Sequence, residues 1–182
     1  GNYADRRKHK TKFIALRYGN VFGSSGSVVP ILIEQIKKKK KITITDPKMT
    51  RFSVTMDEAL DFILESTIEG QGSEIFIPKL RAYSIMDLKD ALIELFGDTG
   101  VNVVGIRPGE KLHETLINND EIRQVYEFKN KYIIVSPDKT EAQIKKTYSN
   151  IKKTKLSESY SSDSVKKMSK SDLKKYLSDL DL

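Results

Sequence analysis

The sequence predicts a mixed α/β fold, on three observations. Short β-prone runs alternate with segments of helical period, the helical segments open on Ser or Thr and close on Gly, and one run apolar on both faces ends in a Gly-rich loop. That run is Lys12-Phe13-Ile14-Ala15-Leu16-Arg17, which fits a buried parallel strand delivering the loop from Gly19 to Ser27. Ligands favour such strand ends.

The remaining elements follow in order. Val28 to Ile36 reads as a helix with Ser27 as N-cap, Pro30 in the first turn and Leu32, Ile33 and Ile36 on its apolar face. Lys37 to Lys41 crowd its C-terminal end, where positive charge suits the helix dipole. Ile42-Thr43-Ile44-Thr45 and Arg51-Phe52-Ser53-Val54-Thr55 are short strands, separated by the breaker Asp46-Pro47. Thr55 then caps a helix with Glu58 at the capping-box position, an apolar face of Ala59, Leu60, Ile63 and Leu64, and a stop at Gly70. Glu74 to Ile77 is a strand, Ser84 opens a helix through Leu88, Leu92 and Leu95 to Gly97, and Val101 to Ile106 is β-branched.

After Gly105-Ile106-Arg107-Pro108-Gly109-Glu110 a short helix is expected through Leu112, Leu116 and Ile117, then a hairpin of Val125 to Phe128 and Tyr132 to Val135 around Lys129-Asn130. From Lys139 the chain is rich in Lys and Ser. A mobile or loosely docked segment is expected between Thr140 and Ser164, and a last amphipathic helix from Ser171 to Leu180, capped by Ser169 or Ser171.

Bulk properties narrow the chemistry. The chain of 182 residues is one domain or a piece of a larger one. It has no Cys and two His, His9 and His113, so neither a disulfide framework nor a Cys- or His-based metal centre is expected. The absence of a long apolar run or a leader points to a soluble, cytoplasmic protein without a membrane span. The net charge of +7 sits in Lys runs (Arg6 to Lys12, Lys37 to Lys41, Lys145 onward) without interleaved aromatics, so nucleic acid is not the expected partner.

Three stretches could carry chemistry. Arg17 to Ser27 is a loop whose backbone amides could meet phosphate, although its glycines, Gly19, Gly23 and Gly26, miss the G-x-G-x-x-G spacing; it is equally a structural turn. Arg51 could offer a planar fork to phosphate oxygens, or pair with a carboxylate. Arg107 to Glu114 is a charged turn in which Glu110 and Glu114 suit a helix start and His113 is a lone imidazole, more readily structural than catalytic.

In combination and order these stretches resemble the extended short-chain dehydrogenases that act on nucleotide sugars. The wording RYGNVFGSSGSVVP (Arg17 to Pro30), ITDPKMTRF (Ile44 to Phe52), EIFIPK (Glu74 to Lys79) and GIRPGEKLHETLI (Gly105 to Ile117) is similar to the inverting UDP-N-acetylglucosamine 4,6-dehydratases. Tyr160-Ser161-Ser162 before a short helix also looks like theirs. The resemblance implies a Rossmann-type fold holding NADP with a smaller mixed α/β lobe over the UDP-sugar. Residues 1–138 would be the last strand or strands of the Rossmann domain plus that lobe, and 139–182 a tail. It further implies that Asn20 contacts the sugar diphosphate, that Ser27 and Val28 sit near the nucleotide, and that the strand carrying Thr43 runs past the uracil. Arg51 and Arg107 would clamp the diphosphate, Glu110 would bond the ribose or order the arginine, and Tyr18 would face the cofactor.

In such enzymes a Tyr-x-x-x-Lys pair lies upstream of the strand that here begins near Lys12. Tyr3 is followed by Arg7, and Tyr148 with Lys152 has the spacing but falls after every substrate motif, so no catalytic residue is assigned in this chain. The expectation is a fragment of a dehydratase serving surface glycan or capsule synthesis, inactive alone, with its cofactor-binding half elsewhere and a homo-oligomeric parent. Its exposed strand at Phe13 to Leu16 would self-associate or bind an N-terminal partner. An epimerase fragment, a retaining dehydratase, a non-catalytic UDP-sugar-binding lobe and a basic nucleic-acid-binding module remain as alternatives.

Overall fold

The computed structural model describes residues 11–180; His9 and the start of the first Lys run lie outside them. In chain order the first elements are β1 (Ala15–Leu16), β2 (Asn20–Val21), α1 (Val28–Lys37), β3 (Ile42–Ile44), β4 (Thr50–Val54), α2 (Met56–Glu69), β5 (Ile75–Pro78) and β6 (Arg81–Ser84). They continue with α3 (Ile85–Phe96), β7 (Val101–Val103), β8 (Thr115–Ile117), a 3-10 turn (Asn119–Gln124), β9 (Val125–Phe128) and β10 (Lys131–Ile134). The last are α4 (Glu141–Thr147), β11 (Lys152–Lys153), β12 (Tyr160–Ser161) and α5 (Lys170–Ser178). The chain passes repeatedly between two compact units. Of the described residues, one unit holds 11–18, Asp57–Lys79 and Leu116–Tyr160; the other holds Gly19–Met56, Leu80–Thr115 and 161–180.

The first unit is built on a sheet of order β1-β5-β10-β9-β11. Ala15 and Leu16 pair in parallel with Ile75 and Phe76, and the other pairings are antiparallel. The hairpin expected around Lys129-Asn130 is present, with Lys131 opposite Phe128. The expected parallel strand forms with the exposed edge anticipated for it: among the described residues β1 has β5 as its one neighbour, and Phe13 is 56% exposed. The helix expected after Thr55 forms, but it is rotated. Ala59, Phe62 and Ser66 are buried while Leu60 and Leu64 face outward, because the large Phe62 ring joins the core of Phe76, Tyr126, Phe128 and Ile133.

The segment expected to be loosely docked is packed. Thr140 caps α4 with a full capping box, and Ile144, Tyr148 and Ile151 enter the same core. Its entry is fixed by Lys139, whose ammonium lies 2.8 Å from the buried Glu74 carboxylate, which also accepts the Gln71 and Gly72 amides. Lys131, 4% exposed at its side chain, is held by Glu65 at 2.7 Å and Glu69 at 2.9 Å. Burial works to raise the Glu69 pKa, yet the bonds from Lys129 and Lys131 hold it below the usual carboxylate range.

The second unit carries two small sheets. In one, β2 runs parallel to β4 and β4 antiparallel to β6; in the other, β3 and β7 are parallel. Its core joins Val29, Leu32, Ile33 and Ile36 of α1 to Ile42, Ile44, Leu88 and Leu92. Ser84 caps α3 by accepting the Asp87 amide, as its sequence position predicts. The terminal helix, α5, starts one residue early behind the Ser169 cap and buries Leu173 and Leu177 in that core. Lys170 and Lys174 both reach Glu94 of α3. Thus residues 141–160 pack within the first unit and 161–180 within the second. Among the described residues no helix is long and apolar enough to cross a membrane.

Candidate functional site

The site residues expected from the sequence fall in the second unit, apart from Tyr18. The turn at Arg107 follows from its residues. Pro108 fixes φ at the first central position and Gly109, at φ 84°, takes the second, so Glu110 N–H bonds the Arg107 carbonyl at 3.0 Å in a type II turn. The Glu110 carboxylate folds back, accepting the Arg107 amide and the Thr45 hydroxyl, each at 3.3 Å. This ties the turn to the end of β3, where Val104 and Gly105 donate to the Ile44 and Thr45 carbonyls. The Arg107 side chain is left exposed, with no hydrogen bond or ion pair among the described residues.

Arg51 is placed differently. It stands on β4 opposite Tyr83, with its side chain 13% exposed. Nη1 donates to the Thr50 carbonyl at 2.7 Å and the Leu112 carbonyl at 3.0 Å, and Nη2 lies 2.8 Å from the Met49 sulfur. Glu110 stands 3.9 Å from Nη2 and Glu114 3.8 Å from Nε. Of the two roles open to Arg51, the structure shows the carboxylate pairing. The guanidinium binds the 110–114 segment to β4.

The short helix expected through Leu112, Leu116 and Ile117 does not form. Its backbone groups are claimed from outside: Thr50 N–H takes the Leu112 carbonyl, Ser162 Oγ accepts the Glu114 amide at 2.9 Å, and Ser162 N–H takes the Glu114 carbonyl at 2.8 Å. A helix needs these groups for its own i to i−4 bonds. The Glu114 carboxylate in turn accepts the Phe52 amide at 2.8 Å. Burial pushes the Glu114 pKa up, against the Phe52 N–H and Arg51, which pull it down. A raised folded-state pKa means that ionisation costs the folded protein. Glu114→Gln, which keeps the acceptor oxygen, is therefore expected to melt above the parent at neutral pH. That gain should shrink to nothing as pH falls below the ordinary glutamate range, as thermal melts across the acid range would check.

Asn20 is exposed and in register with Ser53, two residues along β4 from Arg51. It is delivered by Gly19, where an added Cβ would lie 2.4 Å from the Phe52 Cβ, so only glycine allows β2 this close to β4. Ser27 is the N-cap of α1 with extended backbone, yet its hydroxyl makes no cap bond and is buried without a partner; Val28 follows it, half-buried. Thr43 pairs with Asn102, and its amide donates to Gln35 of α1 at 2.8 Å. Tyr18, in the first unit, is 37% exposed with its ring edge-on to Phe62.

The structure therefore joins Arg51, Glu110 and Glu114 through direct contacts. It joins none of Asn20, Ser27, Val28, Thr43 or the Arg107 side chain to them by a hydrogen bond among the described residues. Thr45, Thr50, Glu114 and Ser162 were not singled out as site residues by their types alone. Their signal lay in the wording of the motifs, which contain all four. Among the described residues no group of His, Asp and Glu could hold a metal ion.

A family described as polysaccharide biosynthesis protein matches residues 2–136. The UDP-N-acetylglucosamine 4,6-dehydratase (inverting) of Campylobacter jejuni is 43% identical over 126 residues, 69% of this chain and 37% of that protein. The UDP-glucose 4-epimerase of Rickettsia bellii is 35% identical over 175 residues, 96% of this chain and 51% of that one. The X-ray structure of Pen from Bacillus thuringiensis matches with a TM-score of 0.83 at 33% identity, over 97% of this chain and 52% of that one. The chain thus spans between about a third and about a half of the length of these relatives. The fold class expected from the sequence, mixed α/β of the extended short-chain dehydrogenase type, is borne out. With the match running over most of its length, the chain belongs to the polysaccharide biosynthesis protein family.

Proposed function

We propose that this chain is the nucleotide-sugar-binding portion of a UDP-N-acetylglucosamine 4,6-dehydratase serving surface polysaccharide synthesis. The observation that carries this reading is the Arg107 turn: a type II turn pinned by Glu110 to the end of β3, presenting an exposed guanidinium that has no hydrogen bond or ion pair among the described residues. A guanidinium held on a fixed turn suits a diphosphate, since its planar donors match two oxygens. Asn20 is assigned to the same diphosphate, with Ser27 and Val28 near the nucleotide. Thr43, whose amide is engaged by Gln35, is left to line the base with its side chain. Arg51 acts on the diphosphate as a nearby charge whose own donors are committed to the protein.

A nicotinamide cofactor belongs with this reading, NADP being the form proposed; when bound it supplies the hydride chemistry at the sugar. The described residues do not fit it. Gly19 is committed to Phe52, and a Cβ on Gly23 would lie 2.5 Å from Leu180, so these glycines serve packing rather than a pyrophosphate cradle. Tyr18 alone is left to face such a group. The proton-transfer residues are likewise assigned outside this chain.

Calorimetric titration with UDP tests the ligand. Arg107→Ala is expected to weaken UDP at least tenfold, as loss of a charge-assisted pair would; undiminished affinity would overturn the assignment. A second reading, a nucleotide-sugar 4-epimerase, is favoured by the reach of the Rickettsia match into the last residues, with 96% of this chain covered against 69% for the dehydratase. Mass spectrometry of UDP-N-acetylglucosamine treated with a polypeptide of the relatives' length separates the two. A dehydratase product has lost one water; an epimerase product keeps its mass.

A further inference from the structure

Three motifs that are far apart in sequence meet in one buried knot of the second unit. Thr50 Oγ1 lies 2.8 Å from His113 Nδ1 and 2.7 Å from Ser162 Oγ, with Thr50 5% exposed and Ser162 fully buried. Ser162 brackets Glu114, accepting its amide and donating to its carbonyl, and the Ser161 hydroxyl stands 3.1 Å from that same carbonyl and 2.5 Å from Asp163. The Glu114 carboxylate, so placed, caps the Phe52 amide and faces Arg51 Nε.

The hydrogens in this knot can be counted. Ser162 Oγ already accepts the Glu114 amide, so its own hydrogen is free for Thr50, and the Thr50 hydrogen for His113 Nδ1. The chain then runs in one direction, from Glu114 N–H through Ser162 and Thr50 to His113, and every member is satisfied. A hydrogen on Nδ1 would reverse it: Thr50 would donate to Ser162, and the buried Ser162 hydrogen would lose its acceptor. An unpaired buried hydroxyl is costly. Nδ1 is thus the acceptor, which places the ring hydrogen on Nε2.

We infer that Thr50, His113 and Ser162 are positioning residues that set the orientation of the Arg51 guanidinium through Glu114, and so make the segment after Tyr160 part of the nucleotide-sugar site. The inference rests on the proposed UDP-sugar reading for its ligand, but the geometry it concerns exists without one. His113 is structural in the sense that it touches no reacting atom. Its consequence for binding passes through Arg51, which is why a motif assigned to the ligand carries an imidazole turned inward.

Thr50→Val and Ser162→Ala delete one hydroxyl each with little change of shape, and Thr50→Ser restores the first. In the full chain with His9→Gln, leaving one imidazole, 15N chemical shifts report the His113 tautomer and the Arg51 Nε–H resonance reports the guanidinium. The expected result is an Nε2–H tautomer in the parent, a mixed tautomer and a shifted, broadened Arg51 signal in Thr50→Val and Ser162→Ala, and recovery of both in Thr50→Ser. UDP affinity should fall roughly tenfold in the two deletions and recover with Thr50→Ser. An Arg51 signal unchanged in both deletions overturns the positioning role whatever UDP does. A parent that does not bind UDP, with the resonances behaving as described, strikes the proposed ligand and leaves the knot standing.

Discussion

Arg51→Ala is expected to lower the stability of the second unit by about 2–4 kcal/mol, because the substitution removes donors from a largely buried place. The Thr50 and Leu112 carbonyls lose the Nη1 bonds, and the half-buried Glu114 loses its nearest cation. For a chain of this length the melting temperature should fall by about 10 °C. Arg51→Lys keeps the charge but cannot bridge two carbonyls with one planar group, so an intermediate loss is expected. Arg107→Ala, at an exposed side chain without partners among the described residues, should melt within about 1 °C of the parent. The contrast separates two arginines that the sequence presents as equivalents. Equal melts for Arg51→Ala and the parent would show that the guanidinium does not bind the 110–114 segment to β4.

Leu173→Ala is the second change with a large expected effect, about 2–5 kcal/mol, from lost burial and the cavity left behind. Leu173 is fully buried on α5 and belongs to the core that α1, β3 and α3 form. Leu173→Met, which conserves volume, should cost less than about 1.5 kcal/mol, and Leu60→Ala, on the outward face of α2, within about 0.5 kcal/mol. Denaturant melts of the three would rank them. A Leu173→Ala melt like that of Leu60→Ala would mean that α5 is dispensable, as a detachable tail would be.

Much of the fold was legible in short-range signals. Ser84 and Ser169 capped the helices they precede, Gly97 ended α3, and the run from Val125 to Val135 turned at Lys129-Asn130. These succeed because caps and two-residue turns are satisfied within a few residues of themselves. The errors share another cause. α2 shows its Leu60 and Leu64 to solvent because Phe62 competes for one core, a comparison no window of the sequence contains. The helix expected at Leu112 was lost to Thr50, which takes the distant Leu112 carbonyl, and to Ser162, 48 residues from the Glu114 amide it accepts. The segment after Thr140 has the composition of a loose tail, but Ile144, Tyr148 and Ile151 are spaced to reach a core made elsewhere.

By itself the sequence determined the α/β class, the positions of the caps and turns, and the motif wording that the family match bears out. It also determined that Arg107 stands at a turn, since Pro108-Gly109 admits little else. Only the tertiary structure decided that Arg51 is bound to carbonyls and carboxylates, that Glu114 is held by Ser162, and that α5 belongs to the core rather than to a tail. The physical reason is that a turn is settled by its own dihedral preferences. The environment of a buried charge is settled by whichever distant groups arrive beside it.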